Sequence, residues 1–310
     1  MNNQQTVTTH FTPAGNRPLK IALTLVVVIM VLEFVGGILS NSLALIGDAG
    51  HMLVDTLALS LSLFAMRIAQ RPATSRKTYG YRRAEIMAAL TNGSILVLLS
   101  AFIFYEAYQR LFNPPQVDIP PMLSIAAIGL IANLAGMLLL RRARRANLNI
   151  RAAFWHIFGD TISSVGVIIA GIIILFTGWY IADPAIAVVI GGIILWGAVQ
   201  IIRESSDILL ESVPKHIQVD KVIESIKSTP GVQDVHDIHI WTITSGLYAL
   251  SAHLLIDDQK ISRSAEILES VNRHLAQRFD IKHTTLQLEC ENCTAGFSCA
   301  ICPPEQESSK

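Results

Sequence analysis

The chain has 310 residues, of which 51% are hydrophobic and only 15% are Asp, Glu, Lys or Arg, against about 25% charged residues in a typical soluble domain. The formal net charge is zero, which removes the electrostatic reason to expect a nucleic-acid partner. The mean hydropathy is positive, so an ordinary soluble protein is excluded and a membrane protein is indicated.

In chain order, residues 1–18 are polar and read as a cytoplasmic tail. The first apolar run starts at Leu19 and lacks a small-residue cleavage site, so it is expected to be a retained helix and not a signal peptide. A membrane-crossing helix needs about 20 mainly apolar residues. Segments 19–39, 43–69, 84–110, 119–141, 150–177 and 181–202 meet that length, which predicts a six-helix transport domain over 19–205. Lys and Arg orient it. Arg67, Arg71, Arg76, Lys77, Arg82 and Arg83 follow span two; Arg141, Arg142, Arg144, Arg145 and Arg151 lie between spans four and five. On the opposite side there is little beyond Arg110. Both termini are therefore expected in the cytoplasm. The arginine-rich segment between spans four and five is also suited to contact anionic headgroups.

After residue 205 the pattern changes to an α-β-β-α-β order. The stretch "QVDKVIESIKSTPG" has helical periodicity, "VHDIHIWTI", "GLYALSAHLLI" and "HTTLQLEC" alternate as strands, and Ser262 or Ser264 is expected to cap the second helix. This predicts a small cytoplasmic α+β domain over 206–290, a three-stranded sheet with two helices on one face. A domain so small has a limited core, and docking on a second copy is expected. Residues 291–310 form a tail. Cys290, Cys293, Cys299 and Cys302 have CxxC…CxxC spacing, a metal-ligand pattern. A zinc knuckle or transient acceptor, a redox sensor and an unstructured end with incidental cysteines all remain open for it.

The chemistry lies in the spans. Asp48, His51 and Asp55 recur at i, i+3 and i+7, one stripe of a helix. Bare carboxylates in hydrocarbon are costly, so the stripe asks for a cation. His156 and Asp160 repeat the HxxxD spacing on span five. If the two spans cross at that depth, His51, Asp55, His156 and Asp160 supply two imidazoles and two carboxylates, a donor set that suits Zn2+. The competing reading is a pair of helix–helix hydrogen bonds, and two identical units on separate spans weigh against it. Asp48 is a candidate ligand or supporting group; Glu33 and Glu106 are proton-path or packing residues. An intramembrane zinc metalloenzyme would need an open metal position and a general base, and the chain has no HExxH. A metal-gated channel or sensor is the other alternative. No Walker-type phosphate loop is present, so no nucleotide is expected.

The stretches "SLALIGDAGHMLVD", "TYGYRRAEIMAAL", "LNIRAAFWHIFGD", "TGWYIADPAIAV", "LLESVP", "TPGVQDVHDIHIW" and "FDIKHTTLQLE" together resemble the cation diffusion facilitators, in particular their bacterial zinc/cadmium/cobalt efflux branch. The resemblance spans nearly the whole chain, and it implies a ferredoxin-like, metallochaperone-like fold for the cytoplasmic domain. It implies a homodimer of six-helix protomers in the bacterial inner membrane, exporting divalent metal, chiefly Zn2+, in exchange for protons. Cd2+, Co2+, Ni2+ and Fe2+ are also within reach of such a donor set. No permanent cofactor and no enzymatic activity are implied. The family's membrane site matches His51, Asp55, His156 and Asp160. Its cytoplasmic metal site matches His236, His253 and His283, while the usual carboxylate falls on Thr285; His239, expected on the same side as His236, is a candidate substitute. The histidines that bind metal in the loop after span two of one relative fall on Lys77 and Tyr81, so no site is expected there. Arg83 and Glu211 match an ion pair that couples the two domains.

Overall fold

The computed structural model describes residues 16–140, 148–244 and 246–290. Six helices come first: α1 (Asn16–Ser40), α2 (Leu43–Ala69), α3 (Ala84–Phe112), α4 (Ile119–Leu140), α5 (Leu148–Thr177) and α6 (Ala182–Leu209). Five contain stretches long and apolar enough to cross a membrane, and the described apolar part of α1, Thr24–Ser40, is shorter. Large apolar side chains such as Phe176, Trp196, Leu138 and Ile131 are exposed on these helices. That is the pattern of helices whose outer faces meet lipid.

The chain divides into two compact units. The first comprises residues up to Leu61 together with Thr91–Gln200. In it α4 packs on α1 and α5, and Val26, Ile29, Met52, Leu140 and Ile157 form a buried apolar cluster. Without a hydrophobic driving force in lipid, small residues let helices approach. A side chain at Gly47 or Gly50 of α2 would press on Ile103 or Leu99 of α3, and one at Gly171 of α5 would collide with Leu123 of α4.

The second unit comprises Ser62–Leu90 and the residues from Ile201 onward. It contains α7 (Val219–Lys227), β1 (Val232–Thr244), β2 (Leu247–Ile256), α8 (Ile261–Phe279) and β3 (Ile281–Glu289). The α-β-β-α-β order is as expected, and the domain is of mixed α/β type. β2 is the centre of a three-stranded sheet, antiparallel to β1 and parallel to β3. Val222 and Ile226 of α7 and Val271 and Leu275 of α8 share one core with Ile240 and Leu254 of the sheet. The helix start expected at Ser262 or Ser264 is corrected: α8 begins directly after Lys260, with no side-chain cap. Its end is made by Asp280 in the left-handed region, at φ 57°.

Candidate functional site

In the helical unit, α2 places Asp48, His51 and Asp55 on one stripe. Asp48 is fully buried and the other two are half-buried. His51 Nε2 stands 3.6 Å from Asp55 Oδ2, the contact that i, i+4 spacing allows. Asp160 on α5 is buried and lies within electrostatic range of Asp48. Glu33 on α1, buried against Gly129 of α4, interacts with both acids. His156 lies on α5 one turn before Asp160, and its side chain is outside the described residues. Thus the structure brings acids of α2 and α5 together at Asp48 and Asp160. Glu106 is instead committed to Arg110, at 3.0 Å.

What positions the start of α2 is a residue from α6. The first N–H groups of a helix have no intrahelical acceptor. Here Asp183 supplies one: its Oδ2 accepts from the Leu43 N–H at 2.7 Å, and its Oδ1 from the Ser42 hydroxyl at 2.5 Å and the Ala44 N–H at 3.3 Å. All four residues are buried. Asn41 sits in the left-handed region, at φ 56°, and its carbonyl accepts from Arg110 at 2.7 Å.

The second unit holds a further cluster. His236 on β1 and His253 on β2 are paired across the antiparallel ladder. Glu289, nearly buried at the end of β3, receives both: His236 Nε2 is 3.1 Å from Oε2 and His253 Nδ1 is 2.9 Å from Oε1. One ligand atom from each lies within 4.8 Å of the others. Two imidazoles and a carboxylate are a Zn2+ donor set with a position left for a fourth ligand.

A bulge decides where His239 goes. In a regular strand residues 236 and 239 face opposite sides. Here Asp237 takes φ 49° and the register slips between His236 and His239. One extra residue on β1 returns His239 to the side of His236, as expected. It pairs with Asp237, at 3.0 Å, and Asp237 also lies 3.6 Å from His253.

His283 does not join the trio. It sits six residues before Glu289 on β3, about 20 Å along a strand, opposite Ala249 and against the edge of the Tyr79 ring. Thr285 faces Ser251 in the register. The carboxylate in the cluster is Glu289, which sequence reasoning missed; the signal was an acid ending the otherwise apolar alternation of "LQLEC". Arg83 and Glu211 form the expected ion pair, at 2.8 Å, and Lys77 lies over the Tyr81 ring at 4.1 Å. Cys290 is a free, exposed thiol; Cys293, Cys299 and Cys302 lie outside the described residues.

Two family descriptions match this sequence: "Cation efflux transmembrane domain" over residues 19–210 and "Cation efflux protein, cytoplasmic domain" over residues 214–291. The chain is 41% identical over 304 residues to the cadmium, cobalt and zinc/H(+)-K(+) antiporter of Bacillus subtilis, covering 97% of each protein. It is 44% identical over 285 residues to the metal cation efflux system protein CzcD of Cupriavidus metallidurans, covering 92% of this chain and 90% of that one. With the zinc transporter ZitB of Escherichia coli it shares 36% over 266 residues, 85% of this chain and 84% of that protein. Among solved structures, the metal-bound C-terminal domain of the CzcD transporter from C. metallidurans is 38% identical and covers 24% of this chain and 99% of its own, with a TM-score of 0.22.

Proposed function

The chain belongs to the cation diffusion facilitator family, in its bacterial zinc/cadmium/cobalt efflux branch, and from that premise we propose that it exports Zn2+ and related divalent cations from the cytoplasm by exchange for protons. Members of this family are secondary transporters and not enzymes, and no permanent cofactor is involved. The transported ion is held by His51, Asp55, His156 and Asp160. The observation that carries this assignment is the meeting of buried Asp48 and Asp160, each one turn from an HxxxD partner. It supports a reading in which the two HxxxD pairs lie at one depth. Asp48 and Glu33 surround the site with further negative charge. Relatives named as cadmium, cobalt and zinc antiporters and as zinc transporters support the ion class.

Metal binding needs neutral imidazoles and charged carboxylates, so loading releases protons. Facing inward, the site takes Zn2+ as its histidines and aspartates deprotonate. Rocking of the helices turns it outward, where protonation of the same groups expels the ion, and the return carries protons in. Six spans, cytoplasmic termini, inner-membrane location and a homodimer fit this cycle, with a transport domain over 19–205, a dimerising domain over 206–290 and the cysteine tail beyond. His236, His253 and Glu289 are assigned as a cytoplasmic Zn2+ site that senses the metal to be exported. The Arg83–Glu211 pair couples the α2–α3 loop to the residues after α6.

The test is direct. In proteoliposomes with a pH gradient the protein moves Zn2+ uphill and protons down. Asp55→Ala and Asp160→Ala abolish both fluxes while the purified variants keep the helical content of the wild type. Normal transport by both variants refutes the site; Zn2+ flux indifferent to the pH gradient refutes the exchange.

A further inference from the structure

The loop between α2 and α3 is built more tightly than a connector needs to be. Thr74 and Lys77 exchange backbone hydrogen bonds at 3.1 Å. Gly80 turns at φ 71°, where a Cβ would stand 3.4 Å from the Arg71 carbonyl. Tyr79 meets His283 of β3 with ring centroids 5.6 Å apart. Glu85 accepts from the Thr244 hydroxyl at 3.1 Å. These contacts leave a cavity of about 690 Å³, walled by Tyr79, Ile243 and Leu247 and lined by Arg71, Arg82 and Lys282. A neighbouring cavity of about 510 Å³ shares Tyr79, Arg82 and Ile243 and adds Arg76, Lys77 and Arg83.

The charge in these walls is one-sided. Among the described residues their only carboxylates are Glu85 and Glu211, already engaged by Thr244 and Arg83. Lys282 is paired with Asp280, at 2.6 Å. Among the described residues Arg71 and Arg82 have no acidic partner, although they line the same cavity from opposite ends of the loop. The rule that places basic residues on the cytoplasmic side explains why a loop carries arginines. It does not explain why two of them face one cavity with a lysine from β3. Cations gathered in a cleft with apolar walls focus a positive potential, and guanidinium forks match phosphate oxygens in pairs. The cavity wall begins at Ala69, the last residue of a 27-residue helix long and apolar enough to cross a membrane; at 1.5 Å per residue such a helix is about 40 Å long, enough to reach from one headgroup layer to the other.

We infer that the cavity beneath the α2–α3 loop binds a phosphate-bearing anion between Arg71, Arg82 and Lys282, either the headgroup of an anionic phospholipid or a small soluble phosphate. Bound there, the anion ties the loop to the cytoplasmic sheet. The inference stands apart from the transport reading, because it uses none of the proposed metal ligands.

The test uses the full-length protein in dodecyl maltoside. Thermal unfolding is followed while dioleoyl phosphatidylglycerol, dioleoyl phosphatidylcholine or inorganic phosphate is titrated. An anion site predicts that phosphatidylglycerol or phosphate, and not phosphatidylcholine, raises the unfolding temperature. In Arg71→Gln/Arg82→Gln the midpoint of that titration moves about tenfold higher; Arg71→Lys/Arg82→Lys is intermediate, and Arg278→Gln, on α8, matches the wild type. Single Arg82→Gln, an exposed position, gives the same direction if the double variant folds poorly. A response to phosphatidylglycerol alone identifies the headgroup, and an equal response to inorganic phosphate identifies the soluble anion. Equal midpoints for Arg82→Gln, Arg71→Gln/Arg82→Gln and the wild type, or no response of the wild type to either anion, overturn the inference.

Discussion

Replacing Asp183 by alanine tests whether α6 fixes the start of the helix that carries His51 and Asp55. The carboxylate accepts from the Ser42 hydroxyl at 2.5 Å, the Leu43 N–H at 2.7 Å and the Ala44 N–H at 3.3 Å. Hydrogen bonds to a charged group are each worth about 1.5–3 kcal/mol, and a buried donor left unsatisfied costs about 1–3 kcal/mol. Two of the three bonds are short and the third is long, and water has no access to Leu43 or Ala44. Arg110 adds only a weak attraction to this carboxylate, since its own ion pair is with Glu106. Removing the deeply buried carboxylate's own desolvation cost returns part of this. The net loss is about 3–5 kcal/mol, or a fall of roughly 6–15 °C in unfolding temperature for a chain of this size. Asp183→Asn keeps one acceptor oxygen and loses about half as much. The assay is thermal unfolding of the purified protein, paired with Zn2+ flux in proteoliposomes. An unfolding temperature for Asp183→Ala within about 1 °C of the wild type refutes the capping argument. Asp183→Asn with full stability and no flux moves the residue from scaffold to transport chemistry.

Three further outcomes are expected. Measured by equilibrium dialysis in an Asp55→Ala/Asp160→Ala background, Zn2+ binds the cytoplasmic unit about tenfold or more weakly after Glu289→Gln, while His283→Ala leaves that affinity unchanged; the reverse order moves the site to His283. Breaking the exposed Arg83–Glu211 pair costs under about 1 kcal/mol of stability, so Arg83→Glu should lower flux far more than unfolding temperature, and Arg83→Glu/Glu211→Arg should restore flux; no restoration removes the coupling role. The Lys227 ammonium, followed by the Val235 N–H, holds the Asp234 carboxyl below the usual carboxylate range. Its stabilisation is therefore complete above the unfolded value, about 3.9, and is lost as pH falls through the folded one. Asp234→Asn should flatten the acid limb of an unfolding curve below pH 4, and an unchanged limb assigns acid sensitivity elsewhere.

The parts of this protein legible in its sequence are those set by local periodicity. A 3.6-residue repeat put Asp48, His51 and Asp55 on one stripe, and the helix places them so. Alternation located β2 and β3 nearly to the residue. What the sequence could not show are contacts that depend on closure over long separations. Asp183 caps a helix that starts beside Ser42, 141 positions away, and nothing near "IADPAI" marks it as a cap. The capping serine expected at Ser262 or Ser264 was a local rule that the chain does not use, since α8 starts without a side-chain acceptor.

His236 and His239 share a side as expected, but the cause of that placement was not legible in the sequence. Period-two geometry puts them on opposite faces, and only the left-handed Asp237 brings both to one side. The same bulge aims the Asp237 carboxylate at His239 and His253. A non-glycine residue at positive φ is strained unless its surroundings hold it. Here the contacts to the two imidazoles are among those that hold it, so the bulge and the histidine cluster are linked. Asp237→Gly would relieve the backbone and remove the carboxylate at once, whereas Asp237→Asn keeps the left-handed preference and removes only the charge. Comparing Zn2+ affinity in the two separates the side chain's polar contacts from its charge. If Asp237→Asn binds as the wild type does and Asp237→Gly does not, an uncharged acceptor at this position is enough; if both weaken equally, the position matters for the charge that it carries toward the histidines.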